Sequence, residues 1–207
     1  MKGEAKTVFE GLRQDLIRLN ANWQMFRQLF TVSDDRFEVF NQTAPGFFKL
    51  LQDLLVDDAV ISLSRLTDQA DCQSLPRLVK LLKNQVTPAF HKELANDLNA
   101  LRAACDDIRK HRDKRVAHRA RSTREPQLSP VPTKLPPLTR KKIELAMALS
   151  AALLNKVLGN FESTEQLFVP SIRGDAESLF HFVERGRNAA EAEKATMLSR
   201  FAQSKSA

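Results

Sequence analysis

The sequence predicts an all-α fold, an antiparallel helical bundle with a proline-rich connection and a charged C-terminal helical tail. Three observations predict it. Apolar residues recur at alternating spacings of three and four through the long stretches, which marks one face of a helix. Strand-like alternation is nearly absent. The breaks between stretches hold proline, glycine or capping residues. With 207 residues, 43% hydrophobic and 28% charged, the chain can build one domain with a real core. The bundle is assigned to residues 1–182, with the connection at about 125–138. Residues 183–207 are assigned to a helical or flexible tail.

The first helix is read over residues 7–30 from Phe9, Leu12, Leu16, Leu19, Trp23, Phe26 and Phe30, with Trp23 in the core seam. "TVSDDRF" ends it, and Ser33 is placed to cap a short second helix. "TAPGFF" marks a turn or kink. The stripe then resumes with Phe47, Leu51, Leu54, Asp58, Ile61 and Arg65. Asp58 and Arg65 interrupt it, and either orient a site on a facing helix or pair at the edge of the seam. "TDQADCQS" is a polar loop, and Ser74 can cap "SLPRLVKLLKN" with Pro76 in the first turn. A long helix should follow Pro88, burying Leu94, Leu98, Leu101, Cys105 and Ile108. The same period lands next on Arg112 and Arg115, so the core-filling face turns cationic without losing register. "EPQLSPVPTKLPPLT" holds five prolines and reads as an extended connection. Thr139 caps a helix reaching about residue 159, with Ile143, Met147, Ala151, Leu154 and Leu158 on one face. "FVPSIRGD" turns the chain into one or two charged surface helices.

Several function classes are set aside by what the sequence lacks. No run of about 18 apolar residues occurs, so no membrane span is expected. The N-terminus lacks the apolar core of a secretion signal. Cys72 and Cys105 are far apart and outside CxxC spacing, so neither a zinc site nor a disulfide framework is expected, and a reduced cytoplasm is the expected compartment. There is no GxGxxG, GxxxxGK, HExxH or GxSxG pattern, and neither a metal nor another cofactor is expected. The formal net charge is +7, and nine Lys or Arg face three Asp between residues 102 and 124. That segment is either a solvated helix end favoured by the macrodipole or a footprint for an anionic partner, with nucleic acid the leading candidate.

Cleaving RNA without a metal requires a base for the 2′-hydroxyl, an acid for the leaving 5′-oxygen, and a cation for the phosphorane. Histidine titrates near neutrality and arginine forks onto phosphate oxygens. Arg112, Asp113, Lys114, Arg115 and His118 supply these types within seven residues. On an ideal helix Arg112 and His118 are about 9 Å apart along the axis and about 120° apart around it. They would meet at a frayed helix end, on a large substrate, or across a twofold interface.

These residues resemble the R-x4–6-H motif of the HEPN superfamily, with five residues between Arg112 and His118 and the polar Asp113 after the arginine. More of the chain is similar to the abortive-infection branch of that superfamily, the AbiU type: "WQMFRQLF", "DDAVISLSRLTDQADCQSLPRLV", "RDKRVAHRA", "LPPLTRKKIELA" and "GDAESLFHF". The resemblance implies a HEPN-like bundle, usually a homodimer, whose motifs meet at the interface. It also implies a metal-independent endoribonuclease of a toxin-like antiphage system. Arg112 and His118 would be the catalytic pair and Asp113 their polar accessory. Arg109, Lys114, Arg115 and Arg119 are the candidate RNA contacts, with Asp58 and Arg65 as candidate orienting residues. An antitoxin or regulatory protein is a further candidate partner. In HEPN toxins silenced by a nucleotidyltransferase, a tyrosine commonly stands two places after the histidine. Ala120 occupies that place and the chain has no tyrosine, so tyrosine AMPylation cannot regulate it.

The other histidines have plainer readings. His91 is expected on the surface, His111 in a helix-face ion-pair set with Asp107 and Arg115, and His181 in a structural role. Some HEPN members keep the helices and only bind. The alternative function is therefore a non-catalytic RNA-binding or protein-interaction module using the same basic patch.

Overall fold

The structure, a computed structural model, describes residues 1–69, 73–113, 135–170 and 174–205. The described residues form eight helices and no strand. These are α1 (Gly3–Phe30), α2 (Asp34–Thr43), α3 (Pro45–Thr67), α4 (Leu75–Leu82), α5 (Pro88–Ala104), α6 (Asp106–His111), α7 (Arg140–Glu162) and α8 (Asp175–Lys205). The chain is all-α, as the periodicity predicts. Among the described residues no helix is long and apolar enough to cross a membrane.

The chain groups into two compact units, one from residues 1–22 and 56–170 and the other from 23–55 and 171–207. In the first, the predicted stripes are the core. Phe9, Leu12, Leu16 and Leu19 of α1, Leu94, Leu98 and Leu101 of α5, and Ile143, Met147, Leu154 and Leu158 of α7 are all buried. The α5 and α7 helices form the main packed pair, tied at the surface by Lys156 and Asp97 at 2.5 Å. Three caps set the helix starts, each accepting a backbone N–H with its hydroxyl: Ser74 from Arg77, Thr87 from Phe90 and Thr139 from Lys142. Ser33 stands at the N-cap of α2 in extended conformation, yet makes no capping hydrogen bond with its side chain. His91 is half-buried rather than a surface residue, its Nε2 lying 3.2 Å from the Val79 carbonyl and joining α5 to α4.

The inward face of α3 differs from the expected stripe. Phe47, Leu54 and Ile61 are 59%, 56% and 42% exposed, and Arg65 is exposed as well. The buried residues in the carboxyl half are Ala59, Val60, Ser62, Leu63, Ser64, Leu66 and Thr67. Of the three hydroxyl residues in this core, Thr67 bonds the preceding turn, its Oγ1 donating to the Leu63 carbonyl at 3.0 Å.

The second unit is built on stacked aromatic rings. Trp23 stacks on Phe26 at 4.5 Å and Phe40 on Phe48 at 3.9 Å, with Phe30 edge-on to Phe40. Phe180 of α8 meets Phe40 edge-on at 5.8 Å. Arg36 lies over the Phe180 ring at 4.6 Å and pairs with Glu177 at 2.9 Å, fixing the start of α8. Further on, Arg187 donates to Gln42 at 3.0 Å. The tail boundary drawn at residue 182 thus falls inside one continuous helix.

Phe40 touches three of these rings and is 2% exposed. Phe40→Ala is expected to cost about 3–5 kcal/mol, measured as a lower urea midpoint by circular dichroism. A loss under about 1 kcal/mol would mean that the ring cluster does not hold this unit together.

Candidate functional site

The basic stretch begins where α5 gives way to α6. The inward stripe persists through the junction, with Cys105 and Ile108 both fully buried. The single long helix expected here is interrupted by one turn residue, Cys105 (φ −87°, ψ −1°). Arg109 bridges this break: its Nη2 donates to the Arg102 carbonyl at 2.7 Å and also meets Asp106. Its Nη1 reaches Thr67 Oγ1 at 3.3 Å. Arg109, a candidate RNA contact in the sequence, is thus also engaged by Arg102, Asp106 and Thr67 within the fold. Burial pushes the Cys105 thiol up to about 11, against the lowering effects of Arg109 and a hydrogen bond with Thr67. It stays a neutral thiol and a poor nucleophile.

After His111 the helix widens into a π turn at Arg112 and Asp113, a feature frequent at functional sites. Arg112 Nε donates to Asp113 Oδ1 at 2.8 Å, and Nη1 to Asp68 Oδ2 at 3.4 Å. The side chains of Arg112, Asp68 and Asp113 are 32%, 46% and 61% exposed. Ion pairs this open contribute about 0–1 kcal/mol to stability, so their effect is on the guanidinium's direction. The structure thus brings together Arg112 and Asp113 of the expected set, and adds Asp68.

Asp68 belongs to a run at the carboxyl end of α3 that sequence reasoning left as loop. Thr67 accepts from Arg109 and Asp68 from Arg112. The Gln69 amide, oriented oxygen-first, accepts from Arg102. Three successive residues each hold one arginine of α5–α6. The negative end of the α3 dipole favours the cations there. The similar segment "DDAVISLSRLTDQADCQSLPRLV" contained all three, but nothing in its spacing names their partners.

On its other side α6 holds the far end of the proline-rich connection. His111 Nε2 donates to the Pro136 carbonyl at 2.6 Å; Arg115, the other end of its expected ion-pair set, lies outside the described residues. The His111 Nδ1 is buried without a partner among the described residues. Lys142 Nζ binds Asp107 at 2.6 Å and the Pro137 carbonyl at 3.0 Å. Asp107 also takes Lys110 at 3.2 Å. Residues 106–113 carry three cations and three carboxylates, so this part of the stretch is neutral. The positive surplus lies in Arg102 and beyond residue 113.

Asp58 accepts from Asn22 of α1 at 3.0 Å, and Arg65 pairs with Asp15 of α1 at 2.7 Å. Both therefore hold α1, and neither contacts Arg112. His181 is exposed, 4.0 Å from Glu184. Lys114, Arg115, His118, Arg119 and most of the proline-rich connection lie outside the described residues. Among the described residues no three His, Cys, Asp or Glu side chains converge as a metal-binding set.

The described residues make this an all-α protein, with an Arg–Asp pair directly after α6. The family model HEPN_AbiU2, described as AbiU2, matches residues 2–177, and the chain belongs to that family. Neither the curated proteins nor the solved structures give a match to this chain.

The Lys142 and Lys110 ammonium groups, Lys142 foremost, hold the Asp107 carboxyl below its ordinary value of 3.8. A depressed carboxylate stabilises the fold above the ordinary value, and that stabilisation is lost as pH falls through the depressed one. Asp107→Asn is therefore expected to melt below wild type at pH 7. The gap should close as pH drops below 3.8. A gap in Tm that does not change with pH would rule out this charge pairing.

Proposed function

We propose that the protein is a metal-independent endoribonuclease of a toxin-like abortive-infection system in antiphage defence, acting in the cytoplasm as a homodimer. The observation that carries this reading is Arg112: a guanidinium oriented by two carboxylates, at a π turn ending a core helix, inside the span matched by HEPN_AbiU2. A merely solvated basic helix end would not need such bracing.

In this reading the RNA 2′-oxygen attacks phosphorus, the 5′-oxygen leaves, and a 2′,3′-cyclic phosphate remains. His118 takes the 2′-hydroxyl proton, and the second protomer's copy of His118 protonates the leaving oxygen. Arg112 offsets the charge growing on the phosphorane. Asp113 braces Arg112, and Lys114, Arg115 and Arg119 hold the RNA backbone. No metal or other cofactor has a step in this scheme. A restraining antitoxin is a further proposed partner.

The second reading is a helical module that binds RNA or an acidic protein without turnover. The internal neutralisation of residues 106–113 favours it less, because a purely electrostatic surface gains nothing from pairing its own cations.

Cleavage of end-labelled RNA in EDTA is expected from wild type, with cyclic-phosphate ends. His118→Ala should lose about 10²–10⁴-fold in rate while keeping its fold and RNA affinity. Equal cleavage by the variant would remove His118 from the chemistry. Binding without cleavage, weakening in step with each Lys or Arg removed and steeply with salt, would establish the binding module instead.

A further inference from the structure

We propose that Asp68 is the positioning residue for Arg112, holding its guanidinium so that the Nη2 edge is presented to a phosphodiester. What the arginine meets rests on the ribonuclease reading above; how it is held rests on geometry alone. Asp68 Oδ1 accepts the backbone N–H of Gln69 at 2.8 Å, which sets the carboxylate against the end of α3. Oδ2 is then turned to Arg112 Nη1 at 3.4 Å, while Asp113 holds Nε at 2.8 Å.

A guanidinium is planar, with five N–H donors on three nitrogens. Contacts at two of those nitrogens fix both the plane and its rotation. Nη2 has no partner among the described residues, so its two N–H groups and the spare one on Nη1 remain for a bidentate phosphate contact.

The two carboxylates do different things. Asp113 is the next residue in the chain and moves with Arg112. Asp68 stands 44 positions away, directly after the helix whose Leu63, Leu66 and Thr67 are in the core. Only Asp68 refers the arginine to that core. Its neighbours do the same for the preceding turns, Thr67 through Arg109 and Gln69 through Arg102. The arginine's position is thereby set by α3 rather than by the local chain.

The test compares wild type with Asp68→Ala, Asp68→Asn and Asp68→Glu, which should fold because the side chain is half exposed. Two readouts are taken: steady-state cleavage of an RNA with a single cut site, and the order of the Arg112 Nε–H by ¹⁵N NMR without RNA. Asp68→Ala should lower kcat between about ten- and a hundredfold, leave KM within about a factor of two, and loosen the Nε–H. Asp68→Asn should fall between, and Asp68→Glu should recover part of both. An Nε–H as ordered in Asp68→Ala as in wild type would overturn the proposal whatever the cleavage does. So would a rise in kcat, which would make Asp68 a competitor of the phosphate. If no protein cleaves RNA yet the Nε–H loosens in Asp68→Ala, the positioning stands and the ribonuclease reading falls.

Discussion

The carboxyl end of α3 is the constraint on which the motif's geometry depends. A helix end leaves carbonyls without intrahelical donors and carries partial negative charge. Here Thr67 Oγ1 covers the Leu63 and Ser64 carbonyls, and the Asp68 N–H covers that of Arg65. The side chains of Thr67, Asp68 and Gln69 each also meet one guanidinium group. Burial of Leu101, Cys105 and Ile108 fixes which way α5–α6 is rotated. One residue of slip would turn each side chain by about 100°, withdrawing those apolar groups from the core and the arginines from α3 together.

The six residues of α6 are too few to be a stable helix alone. They are held from both sides, by Arg109 on Thr67 and by Asp107 and His111 on the chain entering α7. The carbonyl of Pro136 can only accept, so His111 must carry its proton on Nε2. Arg112 thus follows a segment whose placement is determined by contacts distant in sequence.

Much of the fold was legible because burial follows a simple period. The α1, α5 and α7 stripes and the Ser74 and Thr139 caps were readable from residue type and spacing alone. The α3 face was misread for a physical reason: its inward positions include Ser62, Ser64 and Thr67, while Phe47, Leu54 and Ile61 repeat on the outside. A count of apolar residues follows the outer repeat and cannot register buried hydroxyl residues as core. The break at Cys105 escaped notice because the stripe keeps its register across it. Within the site, the Arg112–Asp113 contact was legible from adjacency. Asp68 was not, since a pair 44 residues apart exists only once α3 and α6 have packed. Arg109, His111, Asp58 and Arg65 had the right chemistry for a site, but each meets a structural partner that local sequence does not reveal.

The aromatic cluster has an optical consequence. The chain holds one tryptophan and no tyrosine, and Trp23 is buried against Phe26 in the second unit. Near-ultraviolet emission from this protein therefore reports on that unit alone, while the far-ultraviolet helix signal sums over the whole chain. Comparing the two during denaturation separates one cooperative transition from two, with no label introduced and no residue changed.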